Sequence, residues 1–284
     1  LNYIVIIIII IIIIIIIIII IIITVVRLEN NHSPFIWAHR GASGHEIDNT
    51  MESFKLALEM GADGLESDVH QSKDNVLFLY HENRIQWDGK KVNPSRLTME
   101  QLESINLGEG RKIPRVRDVF EYFKEKSNKA GQEIRYSLDV KRLKMAPPLA
   151  KLAEDVAVAH NVEITPNDDW PRFWSTIEKI RKISSDIHIV DSAHFGLKPL
   201  KMLFKRMFYQ NWEKFDRYNV KGVNVKAALA SDDLIRSVKN RNLKMYVWDC
   251  HDRETLETFM PKSIDAVYSN YPDVANHVRK SIFA

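Results

Sequence analysis

The chain has a single cysteine, Cys250, in 284 residues, which excludes an internal disulfide framework. A large excess of charge of one sign is lacking too. The formal net charge is +3, and no basic stripe, aromatic-interleaved basic run or zinc-finger spacing is present, so nucleic acid is not an expected partner. A small-residue cleavage site is also missing. The N-terminal apolar run is followed by Thr24-Val25-Val26-Arg27, which argues against a cleavable signal peptide.

What the chain does have is an unbroken run of eighteen isoleucines, Ile6 to Ile23. As a helix this run would extend roughly 27 Å, close to the hydrocarbon thickness of a bilayer. Residues 1–26 are therefore expected to form a single-pass transmembrane anchor, followed by a linker over 27–34. The sidedness of that anchor cannot be read, because almost no upstream flank is available for the positive-inside rule.

Beyond the linker the composition is that of a folded domain, 45% hydrophobic and 27% charged, and the length suits one barrel-sized unit. Strand-like segments at 35–40, 64–69, 76–81, 134–140, 186–191, 222–225, 244–249 and 265–269 alternate with helix-like ones. The helical set comprises 50–60, a short helix opened by the capping box Thr98-Met99-Glu100-Gln101, then 116–126, 147–160, 170–184, 197–208, 231–240, 253–259 and 273–282. Eight strands with intervening helices predict an α/β fold, a closed parallel (β/α)₈ TIM barrel over 35–284. Between Asp68 and the strand opening at Val76 there is no room for a crossover helix, which needs a dozen residues or more. The barrel is thus expected to lack the helix between its second and third strands. In the 197–208 helix Lys198, Lys201, Lys205 and Arg206 interleave with apolar residues, the pattern of an outer barrel helix or of one lying on a membrane.

Polar residues stand at the ends of the early apolar segments: His39-Arg40-Gly41, Asp48-Asn49-Thr50, Glu66-Ser67-Asp68 and His81. Barrels build their sites at strand ends. Glu66 and Asp68, two apart on an extended strand, point the same way. Such a pair can hold one hard cation, and two histidines with pKa values near neutrality can move protons beside it.

This constellation resembles the glycerophosphodiester phosphodiesterase family, whose pattern H-R-G, E-N-T, E-x-D-V and H-D is matched by His39-Arg40-Gly41, Asp48-Asn49-Thr50, Glu66-Ser67-Asp68-Val69 and His81-Glu82. Asp139-Val140-Lys141 is similar to the family's E-x-K, Trp248 to its late tryptophan and Tyr271-Pro272-Asp273 to its closing Y-P. The departures are Asp48 for Glu, Asp139 for Glu, and Ser269-Asn270 for the usual T-D. The resemblance implies a barrel that cleaves glycerophosphodiesters to sn-glycerol 3-phosphate and an alcohol. It implies one divalent ion, Mg²⁺ or Ca²⁺, on Glu66, Asp68 and Asp139, with His39 and His81 dividing the general base and general acid duties between them. Arg40, Asp48, Asn49, Lys141 and Trp248 would bind substrate. Two alternatives stay open: a lysophospholipase D acting on membrane lysophospholipids, favoured by the anchor and the Asp139-x-Lys141 form, and a degenerate membrane-tethered barrel that binds without turnover.

Overall fold

In the computed structural model, residues 11–17, 33–131, 133–166, 172–193 and 212–283 are described. Strands β1 (Phe35–His39), β2 (Gly64–Gln71), β6 (Arg135–Val140), β7 (Val162–Pro166), β8 (His188–Ala193), β9 (Val220–Lys226), β10 (Lys244–Trp248) and β11 (Ala266–Ser269) are parallel neighbours in the order β1-β2-β6-β7-β8-β9-β10-β11. Pairing of β11 back to β1 closes the barrel. The short strands β3 (Leu77–Leu79), β4 (Ile85–Trp87) and β5 (Lys90–Val92) lie outside this ring.

The expected barrel is therefore present, but two of its details differ. The 76–81 segment is not a barrel strand. It forms β3, which runs antiparallel to β2 through Val69↔Leu79, His70↔Phe78 and Gln71↔Leu77. The connection too short for a helix is a hairpin connection, and reversing the chain is what so few residues can do. No helix is missing: the barrel passes from β2 to β6 through the β4–β5 hairpin and the helices Met99–Glu103 and Val116–Ala130. The eighth barrel strand is β7, a segment that the strand pattern passes over.

Most helical expectations coincide with observed elements. Thr50 caps Met51–Glu59, Thr98 and Gln101 form the capping box of Met99–Glu103, and Ser231 caps Asp232–Lys239. Arg253–Phe259 and Pro272–Phe283 follow. The 197–208 helix lies outside the described residues. Residues 11–17 of the isoleucine run are helical, and no helix among the described residues is long and apolar enough to cross a membrane.

The main apolar layer lies between the barrel wall and its helices, where Ile36, Phe54, Leu65, Leu138, Ile164, Ile189, Val223 and Val267 are all buried. The barrel interior at its lower end is aromatic, with Trp37, Tyr246 and Tyr268 packed together. Gly64 faces this layer. A Cβ on it would lie 2.5 Å from the Trp37 ring and 2.9 Å from the Arg135 carbonyl oxygen. Gly64→Ala is accordingly expected to destabilise the fold by about 1–3 kcal/mol, read as a lowered Tm; an unchanged Tm would show that Trp37 moves aside without cost.

Candidate active site

Strand register assembles the site. His39 pairs with Glu66 across β1 and β2, and Asp68 with Asp139 across β2 and β6. Because side chains repeat every second residue, Glu66 and Asp68 share the interior face at the carboxyl end of β2, and Asp139 and Lys141 follow suit from β6. Carboxylate oxygens of Glu66, Asp68 and Asp139 lie within 4.8 Å of one another. The three acids that the resemblance nominated do converge.

Around them lies a cavity of about 270 Å³ lined by His39, Arg40, Glu66, Asp68, His81, Asp139, Lys141 and Trp248, together with Ser192, Asn224 and Tyr268. Lys141 Nζ donates to Asp68 Oδ1 at 2.7 Å. Arg40 Nε faces Asp68 Oδ2 at 3.4 Å and its Nη1 faces Asp48 Oδ2 at 3.6 Å. The backbone N–H of Arg40 donates to Glu66 Oε2 at 2.9 Å, beside which His39 Nε2 stands at 3.9 Å. Lys226 Nζ sits over the Trp248 ring, 5.3 Å from its centroid.

The second motif, 48–50, braces the first. Asn49 is buried, accepts from the Ser67 hydroxyl and donates its backbone N–H to the Arg40 carbonyl. Thr50 caps the following helix. Arg40 (φ 58) and Asn49 (φ 55) are both left-handed, and such strained non-glycine residues gather at functional sites. Gly41 (φ 79) completes the turn, and a Cβ there would lie 2.3 Å from Ser53 Oγ. Asp48 stands apart from the carboxylate cluster and against Arg40. Its one-methylene shortening relative to the family pattern therefore falls outside the three converging acids. Glu46, two positions earlier, is engaged by Arg111 at 2.7 Å.

Electrostatics set the acids apart. Burial pushes Glu66 well above the usual carboxylate range, aided by the charges of Asp68 and Asp139. Asp139 rises to about 7, through burial and then the charge of Asp68. Burial works in the same direction on Asp68, but the charge and hydrogen bond of Lys141 outweigh it and hold this carboxyl below its usual value. Three carboxyls this close do not all ionise together unless a cation offsets their charge. His39 drops to about 4, chiefly by burial and secondarily by Arg40, so it is neutral and able to accept a proton at neutral pH.

His70 follows Asp68 on the same strand yet is absent from the cavity wall. Its ring stacks on Phe78 with centroids 5.5 Å apart, and it bonds the backbone of His81. Ser192, Asn224 and Tyr268 line the cavity without having been nominated. Each is a polar side chain near the carboxyl end of a strand, β8, β9 and β11, and that placement is the signal by which they could have been found.

Comparison with known proteins agrees with this geometry. Residues 39–274 match the model of the glycerophosphoryl diester phosphodiesterase family. YhdW of Bacillus subtilis is 25% identical over 254 residues, covering 84% of this chain and 95% of that one. A glycerophosphodiester phosphodiesterase of Caldanaerobacter subterraneus is 23% identical over 253 residues, with 86% and 97% covered. Among solved structures, a phosphodiesterase of Oleispira antarctica in complex with the product sn-glycerol-3-phosphate has a TM-score of 0.68 at 16% identity, covering 87% of this chain and 97% of its own. The chain belongs to the glycerophosphodiester phosphodiesterase family of phosphoric diester hydrolases.

Proposed function

We propose that the chain hydrolyses glycerophosphodiesters to sn-glycerol 3-phosphate and an alcohol, with His39 and His81 as general base and acid beside one Mg²⁺ or Ca²⁺. The observation that carries this reading is the convergence of three carboxylates, two imidazoles and two cationic side chains on one cavity. Glu66, Asp68 and Asp139 form an all-oxygen donor set of the kind hard cations prefer. Asp68 Oδ2, moreover, is buried and accepts no hydrogen bond. When bound, such an ion polarises a phosphoryl oxygen and offsets charge developing at phosphorus.

The chain's own groups do the rest. Arg40 and Lys141 hold the remaining phosphoryl oxygens, Arg with up to two parallel hydrogen bonds. His39, neutral, takes the proton of the attacking hydroxyl, and His81 gives one to the leaving alcohol; each role is worth about 10²–10⁴-fold in rate. A neighbouring hydroxyl of the glycerol can attack first, expelling the alcohol and giving a cyclic phosphate, which water then opens at phosphorus to give sn-glycerol 3-phosphate. Trp248 walls the cavity against bulkier groups. The sn-glycerol 3-phosphate held by the Oleispira antarctica phosphodiesterase is the product that this reading assigns.

A second reading is lysophospholipase D activity on membrane lysophospholipids. It is supported by the human lysophospholipase D GDPD1, 23% identical over 270 residues with 83% of this chain and 82% of that one covered, and by the isoleucine run, which we assign to a single-pass anchor over residues 1–26. Hydrolysis of glycerophosphocholine and of lysophosphatidylcholine, each with Mg²⁺, with Ca²⁺ and with chelator, separates the two. Faster cation-dependent release from glycerophosphocholine is expected. Preference for the lysolipid would favour the second reading, and cation-dependent turnover of neither would refute both.

A further inference from the structure

Behind His39 stand residues from three other strand ends. His39 Nδ1 lies 2.6 Å from Asn270 Oδ1. The backbone N–H of Asn270 donates to His251 Nδ1 at 3.1 Å. His251 Nε2 faces Asp249 Oδ1 at 3.3 Å, and Lys226 Nζ holds the other oxygen of Asp249 at 3.1 Å. The His39 and His251 rings stack, their centroids 5.6 Å apart and their planes 23° from parallel. Asp249 holds φ 70, in the left-handed region that aspartate adopts more readily than most non-glycine residues.

With Asn270 Oδ1 turned toward the His39 ring, the order of donors along this path follows from counting protons. An amide carbonyl has none to give, so the hydrogen between Asn270 and His39 belongs to Nδ1 of the imidazole. That leaves Nε2 of His39 bare, at the edge of the carboxylate cluster beside Glu66. At His251 the count is complementary. Its Nδ1 receives the Asn270 N–H, so its proton sits on Nε2 and is directed at Asp249. Each ring is thereby held in one tautomer, set by the partner on its far side.

We propose that Asn270, itself held by His251 and Asp249, is a positioning residue that locks His39 in the Nδ1–H tautomer and presents Nε2 to the substrate hydroxyl. This rests on the assignment of His39 as the base, and the test separates the two. kcat and KM for glycerophosphocholine are measured for wild type, His39→Ala, Asn270→Leu, Asn270→Asp and the His39→Ala/Asn270→Leu pair. The histidine tautomers are read from long-range ¹H–¹⁵N spectra, which need no turnover.

Asn270→Leu is expected to lower kcat about 10–100-fold with KM little changed. Asn270→Asp, whose oxygen also accepts, should restore most of the rate, and Asn270→Leu should add no further loss in the His39→Ala background. The wild-type spectrum should show His39 as Nδ1–H and that of Asn270→Leu a mixture. A wild-type Nε2–H tautomer, an unaffected kcat in Asn270→Leu, or an additive loss in the pair would overturn the proposal. Full turnover by His39→Ala would instead refute the base itself. Should Asn270→Leu fail to fold, His251→Phe keeps the ring stack and removes the acceptor of the Asn270 N–H; a wild-type kcat in that variant would equally overturn it.

Discussion

His39→Ala and His81→Ala are each expected to lower kcat by about 10²–10⁴-fold while leaving Tm near the wild-type value. The two imidazoles line the cavity and belong to none of the apolar clusters that hold the barrel together. His39 contributes one side-chain hydrogen bond, to Asn270, and His81 one, to the exposed Glu82. Their removal therefore costs chemistry rather than packing. Steady-state kinetics beside a thermal melt checks this, and a variant that keeps a tenth of wild-type activity would remove that histidine from its assigned role.

The second large effect concerns the acids. Asp139→Asn is expected to abolish both the divalent-cation dependence of activity and the rise in Tm that cation gives the wild type, a stabilisation of about 2.7 kcal/mol at one hundred times Kd. The pH dependence has a definite sign. The carboxyl of Asp139 is raised in the folded protein from 3.8 to about 7. Its contribution to stability is thus fully present below about pH 4 and is lost as pH rises through about 7. Metal-free wild type should lose Tm across that window relative to Asp139→Asn. Cation, which binds the deprotonated acids, should restore it, with an affinity that increases with pH over the same range. Melts at several pH values, with and without Ca²⁺, decide the matter. Equal pH slopes for the two proteins would show that Asp139 is not the group responsible.

Much of the site was legible before any coordinates because its residues cluster in the first third of the chain at the ends of apolar segments. The register then needed only two-residue periodicity to put Glu66 and Asp68 on one face. β7 escaped notice for a related reason. Its sequence, Val162-Glu163-Ile164-Thr165-Pro166, alternates apolar and polar residues and ends in proline, which reads as a half-exposed edge. In the barrel, Val162 and Ile164 face the helices, whereas Glu163 points inward, fully buried, where it accepts from Tyr246 at 3.0 Å and pairs with Arg135. A buried glutamate paired with a partly exposed arginine inside the barrel makes an interior strand look like a surface one. The 76–81 segment misled in the opposite way: its apolar run is a genuine strand, but composition specifies an element and not its neighbour or direction. His251 carried no local signal and Asn270 only its place in the closing motif, since their connection to His39 spans 231 residues at the Asn270 bond and exists only once the barrel is closed.

The central claim is that one cation sits among Glu66, Asp68 and Asp139 with both imidazoles turned toward it. Crystals soaked in Mn²⁺ or Ca²⁺ and measured for anomalous scattering test it directly. A single peak with carboxylate oxygens of all three residues at about 2.0–2.6 Å, flanked by His39 and His81, is the predicted result. A peak elsewhere, or none under conditions that support turnover, would contradict it.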